Sequence, residues 1–260
     1  MAVEDDAVVG WIEAEFAWST DSEDTADVWV FVGSPWRGRG HGAALYELGE
    51  RHVLDEGARE LRTVVVDEAG ARFAERRGYL RAREEVPSAV DPRTVDTSRL
   101  DPLLTALAAD GFLLVPLQEA ERRPRELHAL YAAAAADMPE DHPETNIPYD
   151  EWVEETLAKP ELSREGSFVV VRDDQPVALS FVLVDPARSL AEQELTGTAP
   201  EFRRRGLARA AKLAVVRWCA EHGIERLTTS NDGENAGMLA INRELGFEPS
   251  QSWFAYLRRV

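Results

Sequence analysis

The chain is poor in two residue types, cysteine and lysine. One cysteine, Cys219, stands among 260 residues, so the chain can form no internal disulfide. Lys159 and Lys212 are its only lysines, which we attribute to genome composition. No apolar run is long enough to span a bilayer, and the acidic residues 1–6 are unlike a secretory signal. We therefore expect a cytoplasmic protein without a membrane partner.

The charge balance excludes further classes of partner. The net charge of −19 argues against binding to nucleic acid or to an anionic membrane, and it is compatible with a cationic substrate. The five histidines lack the spacing of metal ligands, so we expect no metal site. Cys219 lies on the apolar stripe of a predicted helix, which is typical of a buried structural thiol rather than a nucleophile.

One passage of the sequence occurs twice. Residues Arg37–Gly42 and Arg203–Ala208 both have the form Arg-x-x-Gly-x-(Gly/Ala), and 166 residues separate their first arginines. The same offset separates Gly57 from Gly223. Such a repeat predicts two related domains. We place an N-terminal partial domain at 1–95, a linker with a connecting helix at 96–110, and a complete domain at 111–260.

Apolar periodicity and turn residues predict an α/β (α+β) fold. In the second half they predict strands at 112–117, 167–172, 177–184, 191–198 and 226–230, near 247, and at 252–258. Predicted helices there lie at 124–138, 148–157, from 207 to Gly223, and from the N-cap Asn235 to 245. In the first half, strands are predicted at 7–17, 28–32 and 61–66, and helices at 42–54, 69–76 and 100–109.

The first copy of the repeat is short at its start. Phe112 lies 91 residues before Arg203, whereas only 36 residues precede Arg37. The first domain therefore lacks room for an opening strand and two helices, and either the domain is truncated or the native start lies upstream. A truncated sheet exposes an edge unless something covers it, which suggests a homodimer.

The repeated passage has the composition of an anion site. Each copy joins a predicted strand to the start of a helix, where backbone N–H groups are unpaired and carry partial positive charge. Small residues would let phosphate oxygens approach the backbone, namely Gly40, Gly42, Gly206 and Ala208. Arg39, Arg204 and Arg205 would supply charge at the rim. A diphosphate fits these features better than a carboxylate does.

Three alternative interpretations of the repeated passage fit the sequence less well than a diphosphate site does. They are a dinucleotide fingerprint, a Walker-type loop and a turn with a purely structural role. The spacing of Gly38, Gly40 and Ala43 matches a dinucleotide fingerprint, but that motif needs its first glycine directly at the strand end. A Walker-type loop needs Gly-Lys-Ser/Thr, which is absent. A purely structural turn before a helix would explain one copy more readily than two copies at one spacing.

These residues resemble the GNAT superfamily of acetyl-CoA-dependent acyltransferases, in which the motif after a strand is the pyrophosphate loop. The resemblance covers 111–260 and the later part of 1–90. It extends to Asn235, Met238, Leu239, Asn242 and Leu245-Gly246-Phe247, which are similar to the family's next helix and its ending. The order of residues 196–203 is similar to bacterial proteins with two GNAT domains. The resemblance implies two domains, each with a mixed, mostly antiparallel sheet, a central splayed parallel strand pair and flanking helices.

The resemblance also implies where acetyl-CoA lies. Its pantetheine arm would pair with the strand that ends near Thr198, and its pyrophosphate would sit on the loop that follows. The implied cofactor-binding residues of the second copy are Gly197, Thr198, Ala199, Arg203, Arg204, Arg205, Gly206, Leu207, Ala208 and Asn235. Those of the first copy are Val32, Arg37, Gly38, Arg39, Gly40, His41 and Gly42.

Direct transfer to an amine needs a proton acceptor, a polarised carbonyl and a donor to the departing thiolate. Glu192 and Glu194 alternate on one predicted strand, so they are candidates for a general base and a cation-binding group. A solvent-facing pair on a sheet is an equal alternative. Relatives often carry a tyrosine acid four residues before the helix-ending glycine. Asn242 stands there and can donate a hydrogen bond but no proton of that type.

The sequence leaves three functions open. We expect an N-acetyltransferase that moves an acetyl group to a primary amine of a small molecule, with catalysis in the C-terminal domain. The missing tyrosine and the short first domain would also fit a non-catalytic CoA-binding sensor. A degenerate domain that serves only assembly is the third alternative.

Overall fold

The computed structural model describes residues 1–16, 24–138 and 147–260. Within them the chain forms two compact units. The first unit comprises Met1–Glu85 and Ser252–Val260, and the second comprises Val86–Gln251. These bounds differ from the domains expected from the sequence, because the last strand of the chain belongs to the first unit.

The strands are β1 (Ala2–Glu4), β2 (Ala7–Phe16), β3 (Thr25–Val32), β4 (Glu60–Val65), β5 (Leu80–Val90), β6 (Phe112–Pro116), β7 (Phe168–Arg172), β8 (Gln175–Asp185), β9 (Leu190–Thr198), β10 (Arg226–Asp232), β11 (Glu248–Pro249) and β12 (Trp253–Arg259). The α-helices are α1 (His41–Asp55), α2 (Glu68–Glu75), α3 (Leu100–Ala109), α4 (Leu117–Ala120), α5 (Pro124–Ala135), α6 (Tyr149–Trp152), α7 (Leu207–Glu221) and α8 (Ala236–Glu244). A π-helical turn at Val153–Leu157 continues α6. Strands β1 and β5 and the helix α4 were missed by the sequence analysis.

The sheet of the first unit has the order β1-β2-β3-β4-β12-β5. Only β3 and β4 run parallel, and their pairing is confined to Thr25–Asp27 against Glu60–Arg62. Strand β12 lies antiparallel between β4 and the first half of β5. It brings Tyr256, which is 3% exposed, into the core of this unit. Alternation along the sequence identified β12 as a strand but could not identify its partners.

The second unit repeats this pattern with additional elements. Its strands β6, β7, β8 and β9 are antiparallel neighbours, and β10 pairs with β9 in parallel. Helices α4, α5 and α6 cover one face of the sheet around Trp152 and Phe181, whereas α3 and α7 cover the other around Val182 and Leu213. This mixed sheet with one parallel pair in each unit confirms the predicted fold class.

The hairpin that opens each repeat has the same turn. Asp5 and Asp6 have φ angles of 50° and 62°, and Asp173 and Asp174 have 50° and 61°. Paired positive φ values match the right-handed twist of the strands on either side of a two-residue turn. The first unit therefore begins at the counterpart of β7. The elements β6 and α4–α6 belong to the second unit.

We expect replacement of Tyr256 to destabilise the first unit. Tyr256→Ala removes a buried ring between β4 and β5 and lowers the free energy of unfolding by about 3–5 kcal/mol. Amide hydrogen exchange in β4 measures this loss. Arg259→Ala on the same strand is the matched control, because its side chain is 88% exposed. Unchanged protection of β4 in Tyr256→Ala would contradict the assigned role of β12.

Candidate active site

The two repeated passages fold into the same loop. We call Arg37–Gly42 the first loop and Arg203–Ala208 the second loop. In the second loop Arg204 and Gly206 have φ angles of 63° and 82°, and the corresponding residues of the first loop, Gly38 and Gly40, have 76° and 92°. Left-handed residues at alternate positions turn successive N–H groups toward one side and create an anion-binding concavity. Arg204 adopts this conformation without being glycine, which costs energy and points to a function.

The first arginine of each loop has a structural role. Arg203 donates from Nε to the carbonyl oxygen of Thr198 at 3.3 Å, and Arg37 donates in the same way to Val32 at 3.0 Å. These bonds tie each loop to the end of the strand before it. Helices α7 and α1 then begin at Leu207 and His41, so their free N–H groups border the loops.

The cationic side chains of the first loop are neutralised by carboxylates of its own unit. Arg39 and His41 contact the two carboxylate oxygens of Glu4 at 2.6 and 2.9 Å, and Arg37 contacts Asp67 at 2.6 Å. The His41 hydrogen bond and the Arg39 guanidinium hold the pKa of Glu4 below its ordinary value. The N–H of Gly70 and the Arg37 guanidinium do the same for the pKa of Asp67.

The second loop differs in how its charges are satisfied. Arg203 pairs with Asp137 at 2.7 Å. Arg204 and Arg205 have no ion pair or hydrogen bond with any residue that the structure describes. Among the described residues, the second loop therefore leaves two guanidinium groups without a partner, whereas both arginine side chains at the ends of the first loop segment Arg37–Arg39 have one.

A gap opens beside the second loop where the parallel strands separate. The ladder between β9 and β10 ends at Glu192 and Thr228, so the following residues of β9, Gln193–Thr198, keep one backbone edge outside it. Strand β8 occupies their other edge. An extended ligand could pair with this edge as an added strand.

The corresponding gap of the first unit is closed. Between β3 and β4 lies a cavity of only about 60 Å³ that is lined by Tyr46, Phe73, Arg77 and Tyr79, among others. The Arg77 guanidinium lies 3.6 Å from the centroid of the Phe73 ring and 5.0 Å from that of Tyr46. Side chains of the first unit thus line the space that remains between β3 and β4 beyond their ladder.

A β-bulge distinguishes β9 from β3. The register between β8 and β9 shifts between the pairs Ser180–Thr196 and Val182–Gln193, so β9 contains one extra residue there. The ladder between β2 and β3 has no such shift. Bulges often lie next to active sites, where they re-aim a side chain. This one contains Glu194.

The two predicted carboxylates have different surroundings. Glu192 is exposed and lies opposite Leu183, which packs on the face covered by α4–α6. Glu194 is mostly buried, with a side chain 20% exposed, and its Oε1 lies 3.5 Å from Nζ of Lys159. The counterpart of Glu192 in the first unit is Asp27, which Arg62 holds at 2.7 and 2.9 Å.

Asn242 is buried in a polar contact. It is 2% exposed, and its Nδ2 donates to Oδ1 of Asn231 at 2.6 Å, whereas its own Oδ1 has no partner among the described residues. The one free polar atom of Asn242 is therefore an acceptor. Asn235 accepts from the N–H of Met238 at 3.1 Å, so its N-cap role is present in the structure.

Sequence reasoning missed Lys212, although a lone lysine on the apolar stripe of α7 is a visible signal. Its side chain is 1% exposed, and Nζ lies 5.1 Å from the ring centroid of Phe247. Burial lowers the pKa of Lys212 to about 7. Cys219 on the same helix is fully buried, and burial raises the pKa of its thiol to about 12, which agrees with a structural role.

A cavity of the second unit borders the residues that precede the second loop and lies apart from the predicted catalytic residues. It has a volume of about 650 Å³ and is lined by α5, by the start of β8 and by Ala199–Phe202. Its lining contains neither the predicted catalytic residues nor the second loop. In the parts of the chain that the structure describes, no cluster of side chains could hold a metal ion, and no helix is long and apolar enough to cross a membrane.

The chain belongs to the acetyltransferase (GNAT) family, whose model matches residues 1–79 and 127–247. It is 28% identical over 238 residues to a mycothiol acetyltransferase from Saccharomonospora viridis, a match that covers 85% of this chain and 70% of the relative. The enzyme class predicted from the sequence, N-acetyltransferase, is confirmed.

Solved structures share the fold. A GCN5-related N-acetyltransferase from Sphaerobacter thermophilus superposes with a TM-score of 0.71 at 16% identity and covers 96% of this chain and 76% of its own. A tandem GNAT protein from the clavulanic acid biosynthesis pathway gives a TM-score of 0.69 at 21% identity, with 99% and 81% covered. The predicted tandem GNAT architecture is confirmed.

We expect the burial of Lys212 to make stability depend on pH. The unfolded chain keeps the lysine protonated up to about pH 10.4, but the folded chain releases the proton above about pH 7. The unfolded state binds more protons between these values, so the free energy of unfolding rises with pH by up to about 1.4 kcal/mol per unit.

Lys212→Met should remove this rise and increase stability at pH 6 by about 1–4 kcal/mol, because a buried charge is replaced by an apolar side chain of similar volume. Urea unfolding at several pH values measures both effects. Lys159→Met is the control, since the side chain of Lys159 is 38% exposed. Equal pH slopes in the wild type and in Lys212→Met would show that Lys212 does not carry the effect.

Proposed function

We propose that the protein transfers an acetyl group from acetyl-CoA to a primary amine of a small molecule, and that the second unit carries out the reaction. The observation that carries this proposal is the second loop, in which Arg204 and Arg205 have no partner among the described residues, next to the edge of β9 that the ladder with β10 leaves unpaired. In the first unit the corresponding loop is neutralised and the gap is filled.

The second loop fits a diphosphate in charge and in shape. Arg204 and Arg205 offer positive charge, and the left-handed residues Arg204 and Gly206 direct backbone N–H groups to the same side. The start of α7 adds its own N–H groups and dipole. A carboxylate of the chain that competes for these groups, as Glu4 does in the first loop, is absent from the described surroundings of Arg204 and Arg205.

The free edge of β9 fits the amide groups of a pantetheine arm. From Gln193 to Thr198 it offers N–H and carbonyl groups in the spacing of a β-ladder. When bound, acetyl-CoA supplies an activated acetyl group as a thioester. An arm held along this edge would bring that group to the bulge that contains Glu194.

The carboxylates of β9 suit the binding and deprotonation of an amine. Glu194 lies in the bulge, where the strand departs from regular pairing, and its carboxylate, with Oε1 3.5 Å from Nζ of Lys159, can accept a proton from the amine. Glu192 is exposed on the same strand and can attract an ammonium group. The net charge of −19 favours the approach of a cationic acceptor.

Calorimetric titration of acetyl-CoA tests the location of the cofactor. Ala208→Glu and Gly42→Glu place a carboxylate in the first turn of α7 and of α1, where regular helical backbone accepts it and the helix dipole stabilises it. We expect one site in the wild type, at least a tenfold loss of affinity in Ala208→Glu because of charge repulsion, and no change in Gly42→Glu.

Loss of the site in Gly42→Glu, with binding retained in Ala208→Glu, would assign the cofactor to the first unit instead. No binding in the wild type would contradict the proposed donor. Tight binding without turnover of any amine in a panel would favour the alternative of a CoA-binding sensor.

We expect Glu194→Gln to lower kcat by about 10²–10⁴-fold with an accepted amine, because a general base contributes rate of this size. Glu192→Gln should mainly raise KM, since an exposed carboxylate would act by attraction. Steady-state kinetics with thiol release as the readout separates these effects. A larger loss of kcat in Glu192→Gln than in Glu194→Gln would reverse the assignment.

A further inference from the structure

We propose that Lys212 is a catalytic residue of the second unit, which protonates the sulfur of CoA as the thiolate departs. This inference rests on the proposed function and adds the acid that Asn242 cannot provide. In the reaction the amine nitrogen forms a bond to the thioester carbonyl carbon, and the carbon–sulfur bond breaks with its electron pair on sulfur. Nζ of Lys212 gives its proton to that sulfur. The ammonium is restored from the proton that the attacking amine releases.

The repeat places Lys212 at the gap. Its counterpart in the first unit, 166 residues earlier, is Tyr46, and the counterpart of Phe247, 168 residues earlier, is Tyr79. Tyr46 and Tyr79 contact each other and line the cavity between β3 and β4. Lys212 and Phe247 make the corresponding contact in the second unit.

Two further lining positions change from apolar to polar between the units. Val28 and Ala74 line the cavity of the first unit, and their counterparts in the second are Gln193 and Asn242. Gln193 is 3% exposed and donates to Ser180 at 3.2 Å, but its Oε1 has no partner among the described residues. The Oδ1 of Asn242 is also without one.

By correspondence with the first unit, three residues with buried polar atoms border the gap of the second unit, namely Gln193 on β9, Asn242 on α8 and Lys212 on α7. Lys212 forms no ion pair or hydrogen bond within the described parts of the chain. Leaving such groups unpaired in an apolar environment is costly, so their presence points to a polar ligand that completes them. The first unit avoids this cost with valine, alanine and two tyrosines.

Charged side chains on the elements around α7 have other partners. Arg209 pairs with Glu244, Arg217 with Asp101, and Arg93 with Asp91 and Glu225, while Asp232 accepts from the N–H of Glu234. No described carboxylate forms an ion pair with Lys212. Burial consequently controls its proton affinity and brings its pKa to about 7, below the value of about 8.5 for a cysteine thiol. An ammonium of this acidity can donate its proton to the sulfur as the carbon–sulfur bond breaks.

The two lysines of the chain allow a direct test by NMR. Protein labelled with ¹³C-lysine should give two lysine signals, of which Lys159 is the internal control. We expect bound CoA to shift the ¹³Cε signal of Lys212 and to raise its pKa by at least about one unit, because a neighbouring thiolate stabilises the ammonium. The CoA analogue without sulfur should bind but leave the pKa of Lys212 nearly unchanged, whereas the pKa of Lys159, which contacts Glu194, should be the same with either ligand bound.

A second readout concerns the thiol. In the wild type the thiol of bound CoA should titrate below its value in solution, as followed by the ultraviolet absorbance of the thiolate, and in Lys212→Gln it should not. Identical titration of Lys212 with CoA and with the sulfur-free analogue, both bound, would overturn the assignment. Failure of both ligands to bind would instead refute the proposed function, and this inference with it.

Discussion

The structure of each unit depends on a parallel pair of strands whose hydrogen-bonded ladder is short. In each unit the ladder stops after three residue pairs, at Asp27 with Arg62 and at Glu192 with Thr228. Beyond that point each strand must satisfy its backbone groups in another way, because unpaired groups in a buried sheet are costly. The first unit closes the opening with side chains. The second unit adds a bulge that contains Glu194, and the proposed chemistry depends on that difference.

The first and second loops have the same backbone conformation but different surroundings. Both have the same pattern of left-handed residues, the same tie from an arginine to the preceding strand, and a 15-residue helix that follows. The two loops differ in whether carboxylates of the chain pair with their cationic side chains. Glu4 and Asp67 satisfy the first loop from within its own unit, whereas Arg204 and Arg205 lack a described partner. The first loop is consistent with a structural role and the second with a phosphate ligand.

The cores of the two units also differ in their buried polar side chains. The first unit replaces Gln193, Lys212 and Asn242 of the second by Val28, Tyr46 and Ala74. Valine and alanine pack without needing hydrogen bonds, and the hydroxyl of Tyr46 reaches Tyr79 and Glu50. The second unit keeps groups that weaken its core but can exchange hydrogen bonds or protons with a ligand. Loss of stability at functional residues is a common cost of activity.

The sequence by itself determined the repeat, the order of most strands and helices, the loop chemistry and the family. These features depend on local spacing, such as Arg-x-x-Gly-x-(Gly/Ala), and on apolar periodicity, which a single chain displays. Only the tertiary structure decided the partners of β12, the bulge at Glu194, the neutralisation of the first loop by Glu4, and the meeting of Lys212 with Phe247. Each of these joins residues that are far apart along the chain or depends on strand register, and the pattern of one segment does not specify its partner.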